Sequence, residues 1–129
     1  MQLDRRTQST PSLAYLGDAV LELLVRERLL EMGYTTAKAL NANALNFVRA
    51  SAQAAAMERI SPLLTEEEEG AFRRGRNIGH TNTPKSATVA EYRNATGMEA
   101  LFGYLHAGGQ HERVRELFEI AYPRKEQKQ

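Results

Sequence analysis

The chain has 129 residues and no cysteine, and its 17 lysines and arginines against 16 aspartates and glutamates leave a formal net charge of +1. That length suits one domain with a real core and no need of metal or disulfide staples. Thiol chemistry is excluded, no apolar run is long enough to span a bilayer, and the start of the chain lacks the charged-then-apolar pattern of a signal peptide, so the expected location is the cytoplasm, with no membrane partner.

Thr10 as a cap and Pro11 at the first helical position predict a helix that Gly33 ends. At 100° per residue, Leu13, Leu16, Val20, Leu23 and Leu24 fall on one side, and Ala14, Leu21 and Val25 widen that face past half the circumference. So apolar a helix belongs at the centre of the fold. The polar stripe that remains is narrow: Tyr15, Asp18, Glu22 and Arg26. On it, Asp18 is either solvated beside a Glu22–Arg26 pair or aimed at a polar site. Gly17 in the helix interior costs about 1 kcal/mol against alanine, which points to close approach by another backbone.

Two more helices are expected from Thr36 to about Leu45 and from about Asn46 to Ile60, carried by Ala39, Leu40, Ala44, Phe47 and Val48 and then by Ala52, Ala55, Ala56 and Ile60. Pro62 closes this region. Thr65-Glu66-Glu67-Glu68 reads as a capping box, so the glutamate run is a helix start, with a metal-binding acidic cluster as the other option. That helix ends in Arg73-Arg74-Gly75-Arg76-Asn77, cations at the negative end of the dipole. No acid occurs between Gly70 and Ala90, where the three arginines are joined by Lys85 in a polar stretch, Ile78 to Ala87, that reads as an exposed loop.

A second central helix is predicted from about Thr88 to Ala107, with Gly97 as a candidate bend and Gly108-Gly109 as its stop. Met98, Leu101, Phe102 and Leu105 face one way, while Tyr92, Thr96, Glu99, Gly103 and His106 line the opposite stripe, so an acid again lies behind an oily face. A last amphipathic helix, about Gln110 to Tyr122, uses Val114, Leu117, Phe118 and Ala121, and Pro123 to Gln129 is a charged, frayed tail. No strand pattern occurs. The expected fold class is all-α: one domain over residues 1–122, its core from about residue 10, with some six helices.

The chain offers no glycine-rich phosphate loop of the usual spacing and no closely spaced histidine pair; His80, His106 and His111 are expected to be structural or solvated. Two acids on different helices can hold Mg²⁺, which takes hard oxygen ligands, and nearby cations can neutralise phosphates. That combination suits phosphodiester hydrolysis.

The segment Leu16-Gly-Asp-Ala-Val-Leu-Glu-Leu23 resembles the signature helix of the ribonuclease III family, and Met98-Glu-Ala-Leu-Phe-Gly-Tyr-Leu-His-Ala-Gly-Gly109 resembles its second acidic helix. Thr65 to Glu69, Arg73 to Asn77, Thr83-Pro-Lys85, and Tyr92 to Thr96 leading into Glu99 are similar to the compact Mini branch of that family. The resemblance runs from about Leu13 to Tyr122. It implies a helical endonuclease domain, a homodimer, Mg²⁺ dependence, and cleavage of double-stranded RNA to 5′-phosphate and 3′-hydroxyl ends. For the Mini branch it implies maturation of the 23S ribosomal RNA precursor, and it leaves open whether a ribosomal protein presents that RNA.

Carried over residue by residue, Asp18 and Glu99 match the family's catalytic metal ligands. Typical members have two further carboxylates, where this chain has Ala14 and Thr96; the Mini branch shares at least the alanine. Fewer protein ligands leave more water around the metal, and Thr96 is a candidate to support metal or water. The chain has no room for the family's double-stranded-RNA-binding domain, so the RNA contacts fall to Arg73, Arg74, Arg76 and Lys85, with Asn77 and Arg93 as lesser candidates. Two rivals remain: a non-catalytic module that grips structured RNA with a degenerate nuclease fold, and a helical scaffolding dimer.

Overall fold

The computed structural model describes residues 3–78 and 87–124, all of it helix, turn and connecting segment, with no strand among the described residues. Six α-helices follow one another: α1 (Thr10–Glu31), α2 (Ala37–Val48), α3 (Ala50–Ile60), α4 (Glu66–Arg76), α5 (Val89–Ala107) and α6 (His111–Ala121), with a 3₁₀ turn at Ser61–Leu63. The all-α expectation is met. Residues 125–129 of the proposed tail lie outside the described residues, as do Lys85 and His80.

Local chemistry sets most boundaries. Ser9, one residue before the expected cap, accepts the Ser12 amide at the start of α1, with Pro11 in the first turn. Thr65 and Glu68 form the reciprocal capping box that opens α4, and Thr88 and Glu91 form another that opens α5. α1 and α5 end at Gly33 and Gly109, whose φ of 93° and 75° lie in the left-handed region that glycine adopts without strain. The break between α2 and α3 falls at Arg49, where ψ of 145° takes the backbone out of helix, three residues later than the sequence suggested.

α5 is the axis of the molecule, packing against α1, α3, α4 and α6 as one unbroken helix. Its Met98, Leu101, Phe102 and Leu105 are fully buried, meeting Val25 and Leu29 of α1, Met57 and Ile60 of α3, and Leu117 and Phe118 of α6 in one core. Each such side chain contributes about 1.5–3 kcal/mol relative to exposure. α1 departs from the wheel on one point. Leu23, assigned to the apolar side, is 59% exposed, because α5 occupies the Leu13–Gly17–Val20 side and the core takes Leu21, Val25 and Leu29.

Buried ions tie the periphery to this core. Arg28 of α1 donates to the Tyr122 carbonyl at 2.7 Å and to Glu119 at 3.0 Å. Arg113 of α6 pairs with Glu68 at 2.8 Å and donates to the Leu63 carbonyl. Glu68 is therefore held by its cap and by Arg113, Glu67 accepts from Tyr104 and pairs with Arg5, and Glu69 pairs with Arg73. The glutamate run is a helix start in which Glu67, Glu68 and Glu69 are committed to neighbours.

Candidate active site

The site follows from how closely α1 and α5 approach. At Gly17 a Cβ would overlap the Glu99 carbonyl oxygen and stand 2.6 Å from its carbon and 2.8 Å from the Gly103 nitrogen. At Gly103 it would stand 2.7 Å from the Leu13 carbonyl carbon and 3.0 Å from the Gly17 nitrogen. Neither position admits any other residue without backbone movement. Gly103, placed by the helical wheel on the stripe opposite the oily face, is buried in the helix contact itself.

This contact puts Asp18, the residue after Gly17, beside Glu99. Burial first, then a hydrogen bond with Asp18 and the charge of Asp18, push the Glu99 carboxyl from 4.5 up to about 8. At neutral pH Glu99 therefore holds a proton and donates it toward Asp18, which stands exposed at the surface. Two carboxyl groups pressed together so that one must stay protonated make a hard-oxygen donor pair in want of a cation. That is the donor set Mg²⁺ prefers. No group of three or more His, Cys, Asp or Glu suited to a metal occurs among the described residues.

Thr96, one turn before Glu99 on α5, donates its hydroxyl to the Tyr92 carbonyl at 3.1 Å, so the oxygen keeps only its acceptor capacity. Ala14 is buried against the neighbouring helices. The imidazoles of His106 and His111 pack edge to face with centroids 4.7 Å apart, at the α5–α6 turn and two helical turns past Glu99. They take no part in the acid pair.

A second close approach sets the basic end of α4 against α5. A Cβ at Gly75 would meet Ala100 Cβ at 2.6 Å, Gly97 Cα at 2.8 Å and the Thr96 carbonyl at 3.0 Å, while Gly97 lies under the Phe72 ring. The basic end of α4 is thereby pinned one turn from Glu99. Arg73, Arg74, Arg76 and the C-cap Asn77 are all exposed there, and Arg93 is exposed on α5. Arg73 pairs loosely with Glu69 at 3.5 Å, Arg74 lies 5.9 Å from the Tyr104 ring, and Arg76 lies 5.9 Å from the Phe72 ring. The remaining predicted cation, Lys85, lies outside the described residues.

Sequence reasoning missed the second wall of the site. Asp18, Glu22 and Arg26 line a groove between α1 and α2 that also holds Asn41 and the buried Gln53. A polar glutamine in an alanine-rich helix was the available signal. The Glu22–Arg26 pair itself, predicted from its i, i+4 spacing, is formed at 2.6 Å.

A family model described as "Ribonuclease III domain" matches residues 11–110. A protein named Mini-ribonuclease 3 from Symbiobacterium thermophilum is 52% identical over 110 residues, 85% of each chain, and one of that name from Gloeobacter violaceus is 49% identical over 78% of this chain and 73% of its own. A crystal structure of a protein from Fusobacterium nucleatum superposes with a TM-score of 0.80 at 34% identity, covering 91% of this chain and 93% of that one.

Proposed function

Because this chain belongs to the ribonuclease III family, alongside relatives named Mini-ribonuclease 3, we propose that Asp18 and Glu99 are the metal-binding acids of an endoribonuclease that cuts double-stranded RNA. The observation that carries this reading is the carboxyl pair itself, forced together by the Gly17–Gly103 contact with one member protonated at neutral pH. Asp18 and Glu99 would hold Mg²⁺, which would supply Lewis-acid activation of water and charge stabilisation at the scissile phosphate. Glu99 would have to give up its proton to hold a cation. Thr96 can accept a hydrogen bond from a water beside the pair but has no hydroxyl proton left to offer it.

Affinity for the duplex rests on the basic end of α4, since double-stranded RNA is gripped mostly through phosphates, shape and 2′-hydroxyls. Arg73, Arg74 and Arg76 carry most of it, with Asn77, Lys85 and Arg93 beside them. Replacing the three arginines with alanine is expected to lower the salt slope of RNA binding by about one unit for each phosphate that is no longer neutralised. An unchanged slope, read by binding titrations across a salt series, removes them from the interface.

The active form in this reading is a homodimer. Tyr15, Leu23 and Leu30 on the outward face of α1 are 84%, 59% and 62% exposed, an apolar stripe adjoining Asp18 that one protomer leaves uncovered. Isologous packing of α1 would set two sites on one duplex, one for each strand. Leu23→Glu is expected to yield monomers in sedimentation equilibrium, and an unaltered mass would place the interface elsewhere.

The resemblance alone supports the 23S ribosomal RNA precursor as substrate and the 5′-phosphate and 3′-hydroxyl ends, while a nuclease domain over residues 1–122 and a cytoplasmic location rest on the sequence pattern. No helix among the described residues is long and apolar enough to cross a membrane. The purified chain with double-stranded RNA and Mg²⁺ tests the function directly. The expected result is duplex-dependent cutting with those ends. Absence of cutting beyond the Asp18→Asn level across metals and salts would favour a binding module.

A further inference from the structure

The residues ahead of α1 take no part in the site described, yet Arg5 has a built seat. Its guanidinium lies 4.1 Å from the Tyr104 ring centroid, pairs with Glu67 at 3.2 Å and donates to the Gln110 side chain. Gly108 makes room for it, since a Cβ there would stand 2.8 Å from the Arg5 guanidinium carbon. Partners from α4, α5 and the turn into α6 thus hold one cation of the N-terminal segment.

Arg74, exposed near the end of α4, comes to the same ring at 5.9 Å. It reaches back along its helix, with Nη1 3.2 Å from where a Gly70 Cβ would stand. The position one turn before an arginine is where a pairing acid belongs, as Glu69 is for Arg73. For Arg74 that position is Gly70. The next acid on that face, Glu67, accepts from the Tyr104 hydroxyl and is neutralised by Arg5. Among the described residues no carboxylate pairs with Arg74.

We infer that Arg5 is a positioning residue for the RNA grip: by occupying Glu67 it keeps Arg74, lodged beside Tyr104, an uncompensated cation for a duplex phosphate. The inference rests on the duplex-binding reading above. An aromatic face steadies a guanidinium without cancelling its charge, and the free fork matches phosphate oxygens. A carboxylate would cancel that charge and have to be displaced by each phosphate. Without Arg5, Glu67 turns to Arg74, two turns along the same face of α4.

The test measures binding of the intact chain to a double-stranded RNA in EDTA, across a salt series. Arg5→Gln and Arg74→Ala are each expected to weaken binding by about 10-fold and to lower the salt slope by about one. The double variant is expected to bind no worse than either single one, because Arg5 acts through Arg74. Adding Glu67→Gln to Arg5→Gln is expected to restore wild-type binding, whereas adding it to Arg74→Ala restores nothing. Arg6→Gln, beside Arg5 but 86% exposed, is the control of equal charge and is expected to bind nearly as wild type does. Should Arg5→Gln fail to fold, Gly70→Glu against Gly70→Gln decides: an acid one turn before Arg74 is expected to weaken binding about 10-fold more than the amide. Equal binding by that pair, an Arg5→Gln loss no larger than that of Arg6→Gln, or losses that add with Arg74→Ala would overturn the inference. Cutting by wild type in Mg²⁺ reads the nuclease assignment separately. A chain that cuts duplex while Arg5→Gln binds normally sinks the inference alone, and one that binds as expected without cutting sinks only the nuclease reading.

Discussion

Asp18→Asn is expected to slow cleavage of double-stranded RNA by on the order of 10³-fold, equivalent to about 4 kcal/mol of lost transition-state stabilisation. The amide keeps the shape but removes the charge that makes the pair attractive to a divalent cation. Glu99→Gln is expected to lose activity to a similar degree while moving stability the other way. The Glu99 carboxyl is raised in the folded state from 4.5 to about 8, so the native protein binds the extra proton between those values. Stability from this group is therefore full below about pH 4.5, falls as pH rises, and is lost above about 8. The slope has an upper bound of about 1.4 kcal/mol per pH unit across that window. In metal-free buffer, wild type should melt lower at pH 8 than at pH 5, Glu99→Gln should flatten the trend, and Mg²⁺ should restore wild type at pH 8 without affecting the variant. A pH-independent wild-type melting temperature would show that the two acids do not share a proton.

The largest structural effect is expected at the glycine contact. Gly17→Ala or Gly103→Ala drives a methyl group into the opposing backbone, where no rotamer change can relieve it. The cost should exceed the roughly 1–3 kcal/mol of ordinary overpacking, enough to unfold a domain of this size or spread α1 from α5 and separate the acids. Gly70→Ala in α4 is the control. Its Cβ would meet only the mobile end of Arg74 at 3.2 Å, so the gain in helix propensity should leave stability unchanged or raised by up to about 1 kcal/mol. Urea unfolding of the three variants reads the difference. A Gly17→Ala chain as stable as wild type would contradict the α1–α5 packing and with it the site.

Much of this was legible in the sequence. Caps and punctuation placed α1, α4, α5 and α6 to within a residue or two at most ends, because Ser9, Thr65 and Thr88 satisfy helix amides locally and Gly33 and Gly109 supply the turns. The α2–α3 junction was not legible, since Asn46 to Ala50 carries neither glycine nor proline and the break at Arg49 has no side-chain cap. Helical wheels misjudged Leu23 and Gly103 for one reason. A wheel ranks faces by hydropathy, whereas a glycine face that admits a neighbouring backbone is buried without being apolar.

By itself, the sequence determined the helices, the two acidic stripes, the basic end of α4 and the family, all properties of spacing and local hydrogen bonding. Only the tertiary structure decided that Asp18 stands beside a largely buried Glu99, that Gly75 on Gly97 seats the basic end of α4 against α5, and that Gln53 lines a groove starting at the same acid. These depend on interhelical distances set by missing side chains. A glycine in a sequence leaves open which backbone will come to lie against it.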